Sequence, residues 1–387
     1  MTRISASFLN DSGLRQVLAA LTDAGHQALI VGGAVRNSLL DEPVSDIDIA
    51  TSALPDETRR LTEAAGLRAV PTGIEHGTIT VVANGHGYEV TTFRRDVETD
   101  GRRAVVAFSD CIDEDARRRD FTMNALYADW TGKVFDPVGG LPDLAARRLR
   151  FVGEPRARIT EDYLRILRFY RFHAWYGAKG AADPAALAAC ADLASGLDGI
   201  SAERIGAEMR KLLAAPDPAE SVALMQQAGI LARILPGADG RDLPALIAAE
   251  AACGQLAAWP CRLALLGADD AVSKLRLSRD EATQQKKLAE ALALPLAEAA
   301  YRHGARIAES AALILHARGI PLCPDWQQRI ERATEARLPL TARDLMPDLN
   351  GPALGEALRR AENAYIANDF TLTRDQLLQI ALETSAI

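Results

Sequence analysis

The sequence predicts an α+β fold: an N-terminal head with a small mixed β-sheet and helices, then an elongated, all-helical remainder. Three observations predict it. Alternating and β-branched runs with glycine turns are confined to about the first 140 residues. From about residue 141 onward, strand signals vanish. The chain is also rich in alanine and only 5% aromatic, a composition that favours helix.

The elements follow in order. Leu14 to Leu21 reads as a helix stopping near Gly25, and Leu29 to Val31 as a short apolar strand. Asp46 to Ala50 alternates polar and apolar, as a half-buried strand does, which sends Ile47 and Ile49 into the core. LPDETRRLTEAAG places Pro55 at a helix start and Gly66 past its end. GTITVVANGHGYEVTTF reads as a hairpin turning at Asn-Gly-His-Gly. Residues 157 to 387 are helical patterns separated by breaks such as LLAAPDPAE, RILPGADGRDLP and LMPDLNGPALG. No fixed-period repeat or low-complexity tract is present.

A chain of 387 residues has room for two to three domains. Hydrophobic content of 48% and charged content of 25% are ordinary for a soluble globular protein. No apolar run reaches a membrane span and no basic-then-apolar leader opens the chain, so a membrane partner is not expected. Five cysteines without a CxxC pair read as reduced thiols of a cytosolic protein. Six scattered histidines form no HxxxH or HD pair, so a histidine-ligated metal site is not expected. The net charge of −8 argues against a generic nucleic-acid coat. Yet arginines crowd at 102–103, 117–119, 147–150, 156, 158, 165, 168 and 171, giving either a local basic channel or solvated helix faces.

The chemistry starts in LIVGGAVRNSLLDEPVSDIDIA, residues 29 to 50. On a strand, Asp46 and Asp48 project to one side, about 6–7 Å apart. Two carboxylates on one face suit Mg²⁺, which takes oxygen ligands. Two such ions can clamp an in-line phosphoryl transfer. DxD alone is short and more often describes a solvated strand. Gly32 and Gly33, between a strand and a helix, let backbone approach a triphosphate at a helix N-terminus. Arg36, one turn in, can fork onto a phosphate. Glu89 in Tyr-Glu-Val is the candidate third carboxylate.

These residues carry a resemblance. VGGAVRN…DIDIATSA, GTITVV…YEVTTFR, RRRDFTMNAL, DPVGGLPDL and EDYLRILRFYRF stand in order between about 29 and 173. Together with the tail segment GPALGEALRRAENAYIANDF, they resemble the class II CCA-adding enzymes (tRNA nucleotidyltransferases) and bacterial poly(A) polymerases of the DNA polymerase β-type superfamily. The resemblance implies a catalytic head over 1–140 and a base-selecting helical neck over 141–210. A helical body over 211–300 and a tRNA-binding tail over 301–387 follow. It implies a tRNA 3′ end as partner, CTP and ATP as substrates, Mg²⁺ as cofactor and a cytoplasmic location. Oligomeric state stays open.

The resemblance puts base selection at 161–171. EDYLRILRFYRF reads as one helix with a buried stripe of Tyr163, Ile166, Leu167 and Tyr170. Asp162 and Arg165 are neighbours at i,i+3. Aspartate only accepts hydrogen bonds and arginine only donates them. Cytosine and adenine each present an amino donor beside a ring-nitrogen acceptor, which this pair satisfies. Uracil and guanine present the reverse order, a mismatch costing several kcal/mol. A surface ion pair is the plain alternative.

By the same resemblance Arg119 contacts the nucleotide, Asp120 the ribose hydroxyls, Asn124 supports the site, and Arg168 and Arg171 hold triphosphate or base. Phe121 and Met123 belong to the core. Asn37 stands where the family often has Asp, so no metal role is given to it. Residues 95–108 resemble the family's flexible loop, whose presence favours A addition over CC addition alone. The competing readings are a CC-only or A-only transferase, a poly(A) polymerase, a non-catalytic RNA-binding relative, and a transferase that nucleotidylates protein. The acidic chain counts against the poly(A) polymerase.

Overall fold

The computed structural model describes residues 2–100, 103–254, 258–346 and 348–383. The chain divides into two compact units, Met1–Ile234 and Leu235–Ile387. The division falls inside the RILPGADGRDLP break.

The first unit opens with helix α1 (Ser12–Thr22), started by the Asp11 carboxylate accepting from the Leu14 amide at 2.7 Å. Strand β1 (Ala28–Val31), helix α2 (Gly33–Leu39), strand β2 (Asp48–Thr51) and helix α3 (Pro55–Ala64) follow. Then come β3 (Arg68–Gly73), β4 (Thr78–Ala83) and β5 (His86–Thr92). The predicted hairpin is β4–β5, turning in two residues, Asn84-Gly85, with His86 already paired to Ala83. Strand β2 starts at Asp48, not Asp46. The lead-in is irregular because Pro43 lacks an amide hydrogen and the Ser45 hydroxyl bonds the Asp46 carboxylate at 3.0 Å. Ile49 is fully buried, whereas Ile47, outside the strand, is only half-buried.

The described residues of the loop-like stretch 95–108 are extended. Strands β6 (Arg94–Asp100) and β7 (Arg103–Phe108) pair antiparallel as a ribbon of their own. The sequence explains it: β-branched Val97, Thr99, Val105 and Val106 flank an Asp-Gly turn signal. Gly101, within the stretch that resembles the family's flexible loop, lies outside the described residues.

Helix α4 (Ile112–Arg117) leads to two short strands, β8 (Tyr127–Ala128) and β9 (Val134–Phe135). The main sheet runs β3-β4-β5-β2-β1-β8-β9 and is mixed, since β2 and β5 are parallel and the other pairs antiparallel. Leu29 and Val31 join Ala50, Phe93 and Tyr127 in one core, while Ile30 and Ile49 are buried on the opposite face.

After helix α5 (Gly140–Ala145) the unit is helical: α6 (Pro155–Glu161), α7 (Leu164–Tyr176), α8 (Pro184–Asp192) and α9 (Ala202–Leu213). The predicted single helix through EDYLRILRFYRF is broken. Asp162 is extended (φ −157°, ψ 105°) and ends α6, and α7 begins at Leu164. An aspartate whose side chain takes the amide two residues on offers the backbone an alternative to helix, and here it accepts from Leu164 at 3.1 Å. Tyr163, outside the helix, is half-buried, whereas Ile166, Leu167 and Tyr170 are buried as expected.

The second unit contains ten helices among its described residues. Ser278, Thr341 and Thr373 open three of them with reciprocal side-chain caps. Leu345, Ala357, Ala361, Tyr365 and Leu377 form its C-terminal core. No helix among the described residues is long and apolar enough to cross a membrane.

Candidate active site

Asp48 and Glu89 face each other in register on the parallel strands β2 and β5. Burial raises the Asp48 carboxyl above the ordinary range, and the charges of Glu89 and Asp46 raise it further, while Arg119 opposes them. The three carboxylates predicted to be catalytic therefore share one electrostatic neighbourhood. Among the described residues no three His, Cys, Asp or Glu side chains are already gathered at metal-holding distance. The donor set nevertheless fits a hard divalent cation, because it is all oxygen and repels itself until neutralised.

Gly32 caps α2 at φ 70°, ψ −119°, a backbone region closed to other residues. A side chain there meets Arg119 Nη1 at 3.6 Å, so the turn lies against that arginine. Gly32→Ala lowers stability by ~1–3 kcal/mol through backbone strain alone. Calorimetry then records a fall of several degrees, and an unchanged melting temperature contradicts the assigned turn. Gly33 begins the seven-residue helix α2, where an added Cβ would lie 3.7 Å from Arg36 Nη2.

Arg36 is not the free fork the sequence predicts. It is 6% exposed, donates to the Asn37 side chain at 2.8 and 3.0 Å and to Asn124 Oδ1, and stacks 3.9 Å over the Tyr176 ring. Burial lowers its pKa, against the pull of Tyr176. Its chemistry is to clamp α2 onto α7. Asn37 acts in the same clamp, its amide donating to the Pro43 carbonyl at 2.6 Å.

Arg119 pairs with Asp115 at 2.9 Å and with the Tyr127 hydroxyl at 3.0 Å. Burial opposes its charge, but Asp115 and Tyr127 outweigh burial and hold the guanidinium above its usual pKa. Asp120 likewise has both oxygens taken. Oδ2 accepts from Arg168 Nε at 2.9 Å, and Oδ1 from Asn124 at 3.1 Å and the Phe121 amide at 2.8 Å. Burial raises its pKa, yet Arg168 and these donors lower it below the ordinary range. Asp120 is thus first a structural junction, not an open acceptor for ribose hydroxyls. The Phe121, Phe151, Phe169 and Phe172 rings, with centroids 4.9–5.7 Å apart between neighbours, fix this loop on α7. Met123 and Phe121 are fully buried, as predicted.

The structure brings Arg36, Asn124, Asp120 and Arg168 into one hydrogen-bonded chain, and Arg171 joins it through Glu208, which it meets at 2.7 Å. It does not pair Asp162 with Arg165. Asp162 Oδ2 accepts from Arg204 at 2.6 Å, while Arg165 Nη1 bonds Glu161 and the Arg158 carbonyl. Among the described residues, the arginines from 148 to 165 are held by carboxylates. Asp143 holds Arg148 and Arg150, Asp192 holds Arg156, and Glu161 holds Arg158 and Arg165.

Asp115, Tyr127, Tyr176, Arg204 and Glu208 were missed from sequence. Asp115 had a signal in its i,i+4 spacing to Arg119, although α4 ends at Arg117. The others meet the site only through tertiary packing.

Residues 28–150 match the poly(A) polymerase head domain model, and residues 182–240 the model described as the probable RNA- and SrmB-binding site of polymerase A. The CCA-adding enzyme of Leuconostoc citreum is 35% identical over 95% of this chain and 94% of its own. The chain belongs to the CCA-adding enzyme family. A second relative of that family, the mitochondrial CCA tRNA nucleotidyltransferase 1 of Mus musculus, is 39% identical over 57% of this chain and 52% of its own. The CCA-adding enzyme of Bacillus stearothermophilus, solved in complex with CTP, is 29% identical, with 96% of each chain covered and a TM-score of 0.75. The Thermotoga maritima CCA-adding enzyme, solved with tRNA, shares the fold at a TM-score of 0.70 and 19% identity.

Proposed function

We propose that this chain adds C, C and A in turn, without a nucleic-acid template, to the 3′ end of tRNA from CTP and ATP, releasing pyrophosphate. The observation that carries the reading is the full-length likeness to a CCA-adding enzyme. The site supports it, with Asp46, Asp48 and Glu89 beside a Gly32 turn and Arg119.

Asp46 and Asp48 would hold divalent metal, Mg²⁺ as the hard oxygen-seeking choice, with Glu89 beside them. Bound there, the ions supply the charge that activates the attacking 3′-oxygen and steadies the leaving pyrophosphate. Arg119, kept charged by Asp115, faces the phosphate side of the turn. Arg36 and Asn124 hold the turn rigid against α7. Arg168 and Arg171 are braced by Asp120 and Glu208 and border the nucleotide. Asp162 and Arg165 read the base edge.

Functional segments follow the four-part division: head 1–140, neck 141–210, body 211–300 and tRNA-binding tail 301–387. The tRNA would be held mostly by shape and backbone. The location is cytoplasmic.

The test is incubation of the protein with Mg²⁺ and tRNA lacking its last three nucleotides, with each triphosphate singly and with CTP plus ATP. Three additions from the mixture and none from UTP or GTP are expected. A stop after two C's reassigns the chain to CC addition. A long A ladder on any RNA reassigns it to poly(A) synthesis, the activity after which the matched head model is named.

A further inference from the structure

Helices α7 and α9 run in the same direction, tied along their length. Asp162, just before α7, meets Arg204 at 2.6 Å. Arg171 meets Glu208 at 2.7 Å, and the Trp175 indole N–H donates to the Lys211 carbonyl at 2.8 Å. Positions 204, 208 and 211 share one face of α9. The joint between α6 and α7 is pinned on another side too, because the Tyr163 ring lies where a side chain on Gly196 would have to sit, 1.9 Å from its nearest atom.

The bonds at the two base-reading residues are one-edged. Each carboxylate oxygen offers two lone pairs. Asp162 Oδ1 accepts one hydrogen bond, from the Leu164 amide, and Oδ2 one, from Arg204 Nη2. Each oxygen therefore retains an acceptor site. Arg165 is held through Nη1 alone, by Glu161 and the Arg158 carbonyl, which leaves Nε and Nη2 to donate. Acceptor and donor are both fixed in orientation, and each still has a side to present.

We propose that Arg204, on a different helix from the base-reading residues, is a positioning residue for base selection. It anchors the Asp162 carboxylate by one edge, so that the other edge accepts from the exocyclic amine of cytosine or adenine. A charge-assisted hydrogen bond holds that edge and stops the carboxylate turning. Without that anchor the carboxylate rotates and hydrates, and the penalty against a carbonyl-presenting base falls because water fills the mismatch. The inference rests on the proposed function and deepens it.

The experiment is single-nucleotide incorporation by wild type, Arg204→Gln, Arg204→Lys, Asp162→Asn and the Asp162→Asn/Arg204→Gln double variant, with all four triphosphates and with melting temperatures recorded. In Arg204→Gln, kcat/KM for CTP and ATP falls roughly tenfold, as for loss of one oriented hydrogen bond. Its preference for CTP over UTP, and for ATP over GTP, falls with it, while KM for tRNA stays. Lysine restores most of the preference. In the Asp162→Asn background, Arg204→Gln has no further effect on selection. Arg204 is half-exposed, so the melting temperature barely moves. Equal losses for all four triphosphates, or an Arg204 effect that persists in the Asp162→Asn background, overturn the inference. Unchanged preference in Arg204→Gln overturns it while leaving the proposed function standing. A wild type that adds nothing to tRNA removes the proposed function and the inference with it.

Discussion

Asp48→Asn abolishes nucleotide addition and leaves the protein as stable as before, or slightly more so. The two effects have one cause. Asp48 stands in register with Glu89 and near Asp46, and burial together with those charges lifts its carboxyl above the ordinary range. A raised carboxyl pKa in the folded state means that the ionised form is held less well there than in the unfolded chain. At neutral pH the Asp48 charge therefore works against folding. Asparagine keeps the shape and removes the repulsion. It also removes the carboxylate proposed to hold the divalent metal, so the incorporation rate falls by at least ~10³-fold. Asp46→Ala should cost as much activity but leave stability unmoved, since Asp46 lies outside the strand and its carboxylate meets the neighbouring Ser45 hydroxyl. Incorporation assays and calorimetry in EDTA separate the two variants. Retained activity in Asp48→Asn, or a melting temperature several degrees lower, would falsify this account of the cluster.

Stability given up for function also marks where sequence reasoning works. Strands β1, β4 and β5 and helices α1 and α3 were legible because their signals are local: short apolar or β-branched runs, a glycine-rich turn, a stop at Gly25, a Pro55 at a helix start. Strands β3, β8 and β9 were not. The last two hold two residues each, and such strands exist only because β1 supplies an edge. The β6–β7 ribbon was passed over for a related reason. Its charged flanks look like a loop, and its pairing joins no other strand.

The site divides along the same line. Carboxylates on a strand project where the period of two sends them, so Asp48 and Glu89 could be placed from the sequence. Arginines could be counted but not assigned. Arg36, Arg119 and Arg168 each reach a partner through a long side chain, and Tyr176 is 140 residues from Arg36. Whether a guanidinium is free or clamped is decided by what packs beside it. For the same reason Asp162 and Arg165, an ordinary i,i+3 pair in a helix, separate once the chain breaks at Asp162.

Asp120 gives the largest expected change in stability. Its carboxylate is 10% exposed and accepts from Arg168, Asn124 and the Phe121 amide, which joins the loop after α4 to α7. Asp120→Ala leaves Arg168 without its nearest counter-charge in a largely buried position. Removing one partner of such a pair costs about 3–5 kcal/mol. The lower end applies, since Arg168 is one-third exposed and Glu208 lies 3.9 Å away. The pH dependence identifies the source. The folded-state pKa of Asp120 is lowered, so its contribution is complete above the unfolded value of about 3.9 and is lost as pH falls through the folded value. The gap between wild type and Asp120→Ala in urea unfolding should be full at pH 7 and narrow below about pH 4. A residue whose only work is to accept from a ribose hydroxyl would leave the nucleotide-free protein unmoved at either pH. A gap under about 1 kcal/mol, less than a net hydrogen bond to a charged group, assigns Asp120 to the ligand. A gap of about 3 kcal/mol that closes with acid makes it the joint through which Arg168 is aimed.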